Sequence, residues 1–303
     1  MMTLPEEEYA EIAADAGSGR VPSRARVVAA RFFGTRQGRL GFALLALLFL
    51  LAFAGPLVAP WSYTDMDFSA FMRPPSASHW FGTLQTGSDV FALTLRGAQK
   101  SLTVGLLVAV VSTAVAAVVG SFAGYFLGWT DRTLMWVADL LLVLPAFLIL
   151  AIMSPLLAAG RLLLFALMLA LFLWMVTSKI VRGMTKAIKE REYVKAARFM
   201  GVPPARIIYR HVLPNLASLL VVDATLNVSA AILTETTLSY FGFGIQPPDV
   251  SLGALIADGS RTALYAPWTF WFAAGGLVLA VLAVNLVGDA LRDALDPGAG
   301  GGT

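Results

Sequence analysis

The 303-residue chain is 58% hydrophobic and only 14% charged, with a mean hydropathy of +0.75. Soluble domains carry about 25% charged residues, so so large an apolar excess excludes a soluble body and makes lipid the natural solvent. The chain has no cysteine, which excludes disulfides and thiolate metal sites. Its two histidines, His79 and His211, lie far apart and argue against a histidine metal cluster, and a net charge of +3 reads as a basic cytoplasmic face rather than a nucleic-acid surface.

Residues 1–39 open acidic at Glu6-Glu7-Glu8 and turn arginine-rich towards the membrane. They read as a cytoplasmic tail with a basic collar attracted to anionic lipid. A helix needs about 20 mainly apolar residues to cross a bilayer. That length predicts spans at Leu40–Ala59, Leu102–Leu127, Leu134–Met153, Leu162–Ile180, Leu216–Tyr240 and Phe270–Leu291. The basic start, the apolar run and Ala52-Phe53-Ala54 imitate a cleaved signal peptide, but the leading polar segment is too long and the apolar stretch long enough to span.

Of the 22 Lys and Arg residues, 17 fall on the side of the amino terminus and 5 (Arg73, Arg96, Lys100, Arg161 and Arg261) on the other. The positive-inside rule then places both termini in the cytoplasm. The expected molecule is an all-α integral membrane bundle of about six helices. It has a first span at 40–59, an outer segment at 60–101, a five-helix core at 102–291 with a cytoplasmic loop at 181–214, and a cytoplasmic tail at 292–303.

In the outer segment, Arg73-Pro74-Pro75 is extended or turn-like, and His79-Trp80-Phe81-Gly82-Thr83 reads as an interfacial loop. Asp89 to Gln99 reads as a short amphipathic helix lying along the outer surface. The whole chain shows no internal repeat, which argues against a secondary transporter built from inverted halves.

The cytoplasmic loop is the most informative stretch. Residues 190–200 are good helix formers, and Tyr193, Ala196, Ala197 and Met200 are expected to share one face. Gly201 suits a left-handed cap, Pro203 stops the helix, and Pro204 can open the next one. Such a helix either docks a partner through an aromatic beside small residues, or is an ordinary interfacial helix anchored to headgroups.

Four polar residues fall inside predicted spans: Asp139, Asp223, Asn227 and Glu235. Each either lines a solvated pathway or pins neighbouring helices together. Gly242, Gly244 and Pro247-Pro248 read as an outer turn, and Asp289 as an inner-interface residue near Arg292. No phosphate-binding loop, activated nucleophile, catalytic carboxylate pair or zinc motif occurs, so neither ATP hydrolysis nor other catalysis is expected from this chain.

The run Glu192-Tyr193-Val194-Lys195-Ala196-Ala197 with Gly201, followed by Ile207-Ile208-Tyr209-Arg210-His211-Val212-Leu213-Pro214-Asn215, resembles the EAA loop of ABC importer permeases. It is most similar to the dipeptide, oligopeptide and nickel permease family, second membrane subunit. Further pieces in the family's order support the likeness. They are Phe81-Gly82-Thr83, Gly124-Tyr125-Phe126, Val137-Ala138-Asp139, Pro145, Ile232-Leu233-Thr234-Glu235, Tyr240-Phe241-Gly242 and the run from Asn285-Leu286-Val287-Gly288-Asp289 to Asp296-Pro297.

The resemblance implies a type I importer fold and a coupling helix that docks into an ATPase through Glu192, Tyr193, Ala196, Ala197, Gly201 and Arg206. It implies a homologous permease as heterodimer partner, one or two ATPase subunits that hold ATP and magnesium, an extracytoplasmic substrate-binding protein, and a bacterial inner membrane. No cofactor is implied for this chain. The cargo stays open between oligopeptides, dipeptides, glutathione-like peptides and nickel chelates. An ion-driven transporter is the rival reading, with an intramembrane enzyme and a membrane scaffold behind it. Leu84, Ser88, Gln99 and Lys195 depart from the family pattern.

Overall fold

A computed structural model describes residues 24–154 and 162–295. The acidic cluster Glu6–Glu8, Arg20, Arg161, Asp296-Pro297 and the rest of the C-terminal tail lie outside the described residues. The described chain is all-α. Four helices are long and apolar enough to cross a membrane, or up to six if each of two bent pairs is one span.

An amphipathic helix α1 (Arg24–Gly34) leads through Thr35 into α2 (Arg36–Ala54). The Thr35 hydroxyl accepts from Gly38 N at 3.0 Å and donates to Phe32 O at 2.9 Å, which fixes the corner between the two helices. The first span is therefore Arg36–Leu57, ending in a tight turn at Gly55–Leu57.

The long helix α3 (Val90–Phe126) corrects one expectation. Asp89–Gln99 is no separate surface helix; Asp89 caps α3 by accepting from Ala92 N at 2.8 Å, and residues 90–99 are its first turns. Thirty-seven residues rise about 55 Å, well beyond a hydrocarbon core of about 30 Å. One sequence signal cues the uninterrupted helix: an Asp cap followed by no proline or helix-ending glycine.

The third predicted span is broken. Helices α4 (Gly128–Val143) and α5 (Ala146–Met153) meet at 79°. Pro145 lacks an amide donor and pushes Leu144 into an extended conformation (φ −71°, ψ 133°), so the helix cannot run through. The fourth is bent as well, between α6 (Leu162–Ala170) and α7 (Met175–Lys189), by 51°. None of Leu171–Trp174 is proline or glycine, and the local sequence does not explain that bend.

After the short loop helix α8 (Glu192–Phe199), helix α9 (Pro204–Tyr240) opens on Pro204 and widens into a π turn at Ile208–Val212. Pro214 has no N–H to give the carbonyl of Arg210, which favours the looser hydrogen bonding there. Gly242, at φ +83°, makes the expected turn at the far end. Helix α10 (Leu252–Thr262), capped by Ser251, then leads to α11 (Trp268–Leu295).

Helix α3 is the spine of the bundle. Gly120 and Gly124 let it approach α7 so closely that a Cβ on either would lie 2.4 or 2.5 Å from a carbonyl oxygen of Ser178 or Arg182. Gly105 gives Ile232 of α9 the same access. On another side, Ala52, Leu102, Ala109, Ile232, Ala280 and Val284 join α2, α3, α9 and α11 in one buried cluster.

The segment between α2 and α3, expected on the outer side, packs on the end of this bundle rather than lying loose as a loop. His79 is buried, with Nδ1 2.9 Å from Asp89 and Nε2 3.4 Å from Asp67. Phe81 stacks on Phe272 with ring centres 3.8 Å apart, and Trp268 donates to Thr83 O.

Candidate functional site

The loop helix α8 stands at the end of the bundle between α7 and α9. Glu192 occupies its first turn and Arg198 its last, both favourable to the helix dipole. Its exit is a full left-handed cap: Gly201 N donates to Arg198 O at 3.0 Å and Val202 N to Ala197 O at 3.1 Å. Gly201 has φ +76°, as its position in the sequence led us to expect, and no atom lies within 4 Å of where a Cβ would stand. Glycine is required there by backbone conformation, not by crowding.

The buried edge of α8 differs from the expected face. Val194 and Ala197 are 2% and 3% exposed and pack with Ile188, Ile207, Ile208 and Val212. Ala197, expected among the docking residues, is thus turned into its own chain. The (i, i+3) pair Val194–Ala197 faces inward because the cap drives Val202 against Ala197 from the same side. Glu192, Tyr193, Ala196, Gly201 and Arg206 are all exposed. The ring of Tyr193 lies 6.2 Å from that of His211.

Helical spacing does not single out Phe199 in the sequence. It is 90% exposed, and its neighbour Met200 75%. Phe199 and Met200 form an apolar tip at the end of α8, Tyr193 is exposed near its start, and Arg191, Arg198, Arg206 and Arg210 are exposed as well. An exposed Phe-Met pair directly before a glycine cap was the available signal. Lys195, on the surface, is paired within the chain, 2.9 Å from the likewise exposed Glu190. Its hydrogen bond is the main reason that the Glu190 carboxyl titrates below its ordinary value.

The intramembrane polar residues are all engaged. Asp223 of α9 accepts from Thr177 of α7 at 2.6 Å, from Thr113 of α3 at 3.1 Å and from Asn227 at 2.9 Å. One carboxylate thereby joins three helices. Glu235 is fully buried and accepts from Ser101 of α3 and from Ser239, both at 2.7 Å. Asp139 of α4 is ion-paired with Lys179 of α7, and Asp131 with Arg182 and Lys186. The basic stripe of α7 therefore meets the acidic residues of α4, which charge counting along the chain does not reveal. Asp289 accepts from Gln37 at 3.3 Å, where Arg292 had been expected.

The other departures from the family pattern are also accommodated. Leu84 packs with Leu93, Leu255 and Ala273, Ser88 bonds Thr86 at 2.9 Å, and Gln99 accepts from Arg96 at 2.8 Å. Arg96 and Lys100 both reach Asp249 at 2.7 Å, tying the start of α3 to the loop after α9.

Residues 116–300 match the family model described as binding-protein-dependent transport system inner membrane component. Residues 23–75 match the N-terminal TM domain of oligopeptide transport permease C. The chain is 54% identical over 276 residues to the oligopeptide transport system permease protein OppC of Mycobacterium tuberculosis (strain H37Rv), covering 91% of this chain and 95% of that one. The identically described protein of Mycobacterium bovis matches to the same extent. That of Bacillus subtilis (strain 168) is 33% identical over 304 residues, covering 98% and 99%.

Proposed function

The chain belongs to the family of binding-protein-dependent transport system inner membrane components, and from that premise we propose how it couples ATP hydrolysis elsewhere to peptide import here. It is a multi-pass inner-membrane permease subunit of an ABC importer, of the C type. Family membership decides against the ion-driven transporter. The cargo we assign is an oligopeptide or dipeptide, supported by the descriptions of the relatives.

The reading of the mechanism rests on one observation: the aromatic and thioether tip Phe199–Met200, exposed at the end of a helix whose exit is fixed by the Gly201 cap. Both termini and this tip face the cytoplasm, in accord with the distribution of Lys and Arg. The tip enters a cleft on an ATPase subunit, with Glu192, Ala196 and Arg206 at its rim. Val194 and Ala197 transmit the push to α7 and α9 through the cluster beneath them. Because α3, α7 and α9 share the Asp223 hydrogen bonds and the glycine contacts, they move as one body. Asp139, Asp223, Asn227 and Glu235 serve as helix links in this scheme rather than as pathway groups. A homologous permease supplies the other half of the pathway, and an extracytoplasmic binding protein delivers the peptide.

The test is uptake by the complex purified from its native membrane and reconstituted into vesicles. ATP-dependent accumulation of labelled oligopeptides, with a second permease and ATPase subunits co-purifying in fixed ratio, is the expected result. Accumulation of nickel chelates without peptides would overturn the cargo, and recovery of the chain without any ATPase would overturn the coupling.

A further inference from the structure

Two apolar grooves run along the face formed by α2 and α11. The first, of about 690 Å³, lies towards the outer segment and is walled by Leu48, Leu51, Phe81, Phe91, Trp271 and Phe272; no basic residue lines it. The second, of about 1150 Å³, lies at the opposite end, where α1 folds back on the bundle. Its walls include Val28, Phe32, Phe33 and Phe42 from α1 and α2, Val221 from α9 and Leu291 from α11. Both are walled in part by α2 and α11, helices long and apolar enough to cross a membrane.

Neither groove has a basic residue in its wall, but unpaired arginines lie next to wall residues of the second. Arg31 precedes the groove residues Phe32 and Phe33, Arg36 begins α2, and Arg39 lies one turn before Phe42 on the same side of that helix. All three arginines are exposed, and none is ion-paired to another described residue. The Thr35 corner fixes the angle between α1 and α2, the two helices that carry these arginines. Opposing carboxylates are fewer: Asp289 is engaged by Gln37, and Asp293 neighbours Arg292 on α11. An apolar slot beside three unpaired guanidinium groups is complementary to one class of molecule in a bilayer.

We propose that this second groove is a binding site for an anionic phospholipid of the cytoplasmic leaflet. One acyl chain lies between α1 and α9, and the phosphate is held by Arg31, Arg36 and Arg39. Its leaflet rests on the orientation given above, whereas its selectivity for charge does not. The site anchors α1 to the membrane beside the end of α9 that leads back to the coupling helix.

The test uses the purified importer complex in nanodiscs, with photoactivatable phosphatidylglycerol or phosphatidylcholine carrying a diazirine on the acyl chain. Labelled peptides are mapped by mass spectrometry. Peptides containing Phe33, Phe42 and Val221 should take up the phosphatidylglycerol probe in preference by on the order of tenfold or more, while those containing Leu48 and Trp271 take up both probes alike. The variant with Arg31→Gln, Arg36→Gln and Arg39→Gln should label equally with the two lipids, and the same three positions changed to lysine should restore the preference. Equal labelling of the second groove in the unaltered complex would overturn the site. So would cross-links from its walls to the partner permease or to this chain's own terminal segments, or an undiminished preference in the glutamine variant. A cysteine at Gly34 reached by an impermeant maleimide only from outside would overturn the leaflet, with the lipid preference judged separately by the labelling.

Discussion

Helix α8 and the layer around Asp223 use their side chains in opposite ways. At α8, two small buried residues hold the helix down, and the large ones, Phe199, Met200 and Tyr193, point away from the chain. Around Asp223, every carboxylate oxygen meets a hydroxyl or amide from within the chain. A surface that leaves aromatic area uncovered is built for a partner; a polar group satisfied in place is built to hold helices together. In the proposed mechanism, the contrast separates the residues that would meet the ATPase from those that would carry its push.

The largest effect is expected at the cap. Gly201→Val forces a β-branched residue to φ +76°, a conformation that costs an ordinary residue about 1–2 kcal/mol and a β-branched one more. Peptide uptake should fall to background while the protein still inserts, because the turn collapses and α8 points elsewhere. Uptake assays alongside quantification of the membrane-inserted protein check this, and normal uptake would break the comparison on the α8 side.

Next comes Phe199→Asp, which leaves the fold untouched because the side chain is almost wholly exposed. It should lower the stimulation of ATPase activity by substrate on the order of tenfold, as a lost interface anchor of about 1.4 kcal/mol or more would. Equal stimulation in the two proteins would remove the tip from the interface.

At Asp223 the account separates two substitutions. Asp223→Asn keeps one acceptor oxygen for one of the two threonines and can donate its amide to the hydroxyl of the other, and should change uptake by no more than about threefold, since membrane hydrogen bonds average about 0.6 kcal/mol. Asp223→Leu removes all the bonds and should lower the detergent melting temperature measurably. A large loss of uptake with a normal melting temperature in the asparagine variant would make Asp223 a pathway charge instead.

The smallest effect is at the outer clamp. Burial alone would raise the Asp249 carboxyl, but hydrogen bonds from Lys100 and Arg96 outweigh it and hold it below its ordinary 3.8. A depressed carboxylate contributes stability above its ordinary value and loses it only as pH falls through the lower, folded-state value. Hydrogen exchange of residues 241–251, corrected for intrinsic rates, should therefore be unchanged between about pH 7 and pH 5. Loss of protection in that interval would contradict the pairing.

The parts that were legible in the sequence are local ones. The Pro203 stop, the Gly201 cap and the Gly242 turn follow from residues next to one another in the chain, and so does the Asp89 cap, although residues 89–99 read as a separate helix. Pro145 was noticed, yet the break it makes was not, because hydropathy averages straight across it. Harder to read were contacts that join distant segments: Asp223 with Thr113 and Thr177, the α7 basic stripe with Asp131 and Asp139, and Asp249 with Arg96. Threonine carries no hydropathy or charge signal, and salt bridges between helices leave no periodicity. The inward turn of Ala197 was missed for the same reason, since which face of a short helix is buried depends on Ile207 and Val212, beyond the turn.

One measurement bears most directly on the claim that the α8 tip docks on an ATPase. The chain has no cysteine, so single cysteines at Phe199, Met200 and, as an outer control, Ser76 can each carry a benzophenone maleimide in the assembled complex. The account predicts that Phe199→Cys and Met200→Cys photo-cross-link to an ATPase subunit and that Ser76→Cys does not. Cross-linking of neither tip position to an ATPase, in a complex that contains one, would contradict it.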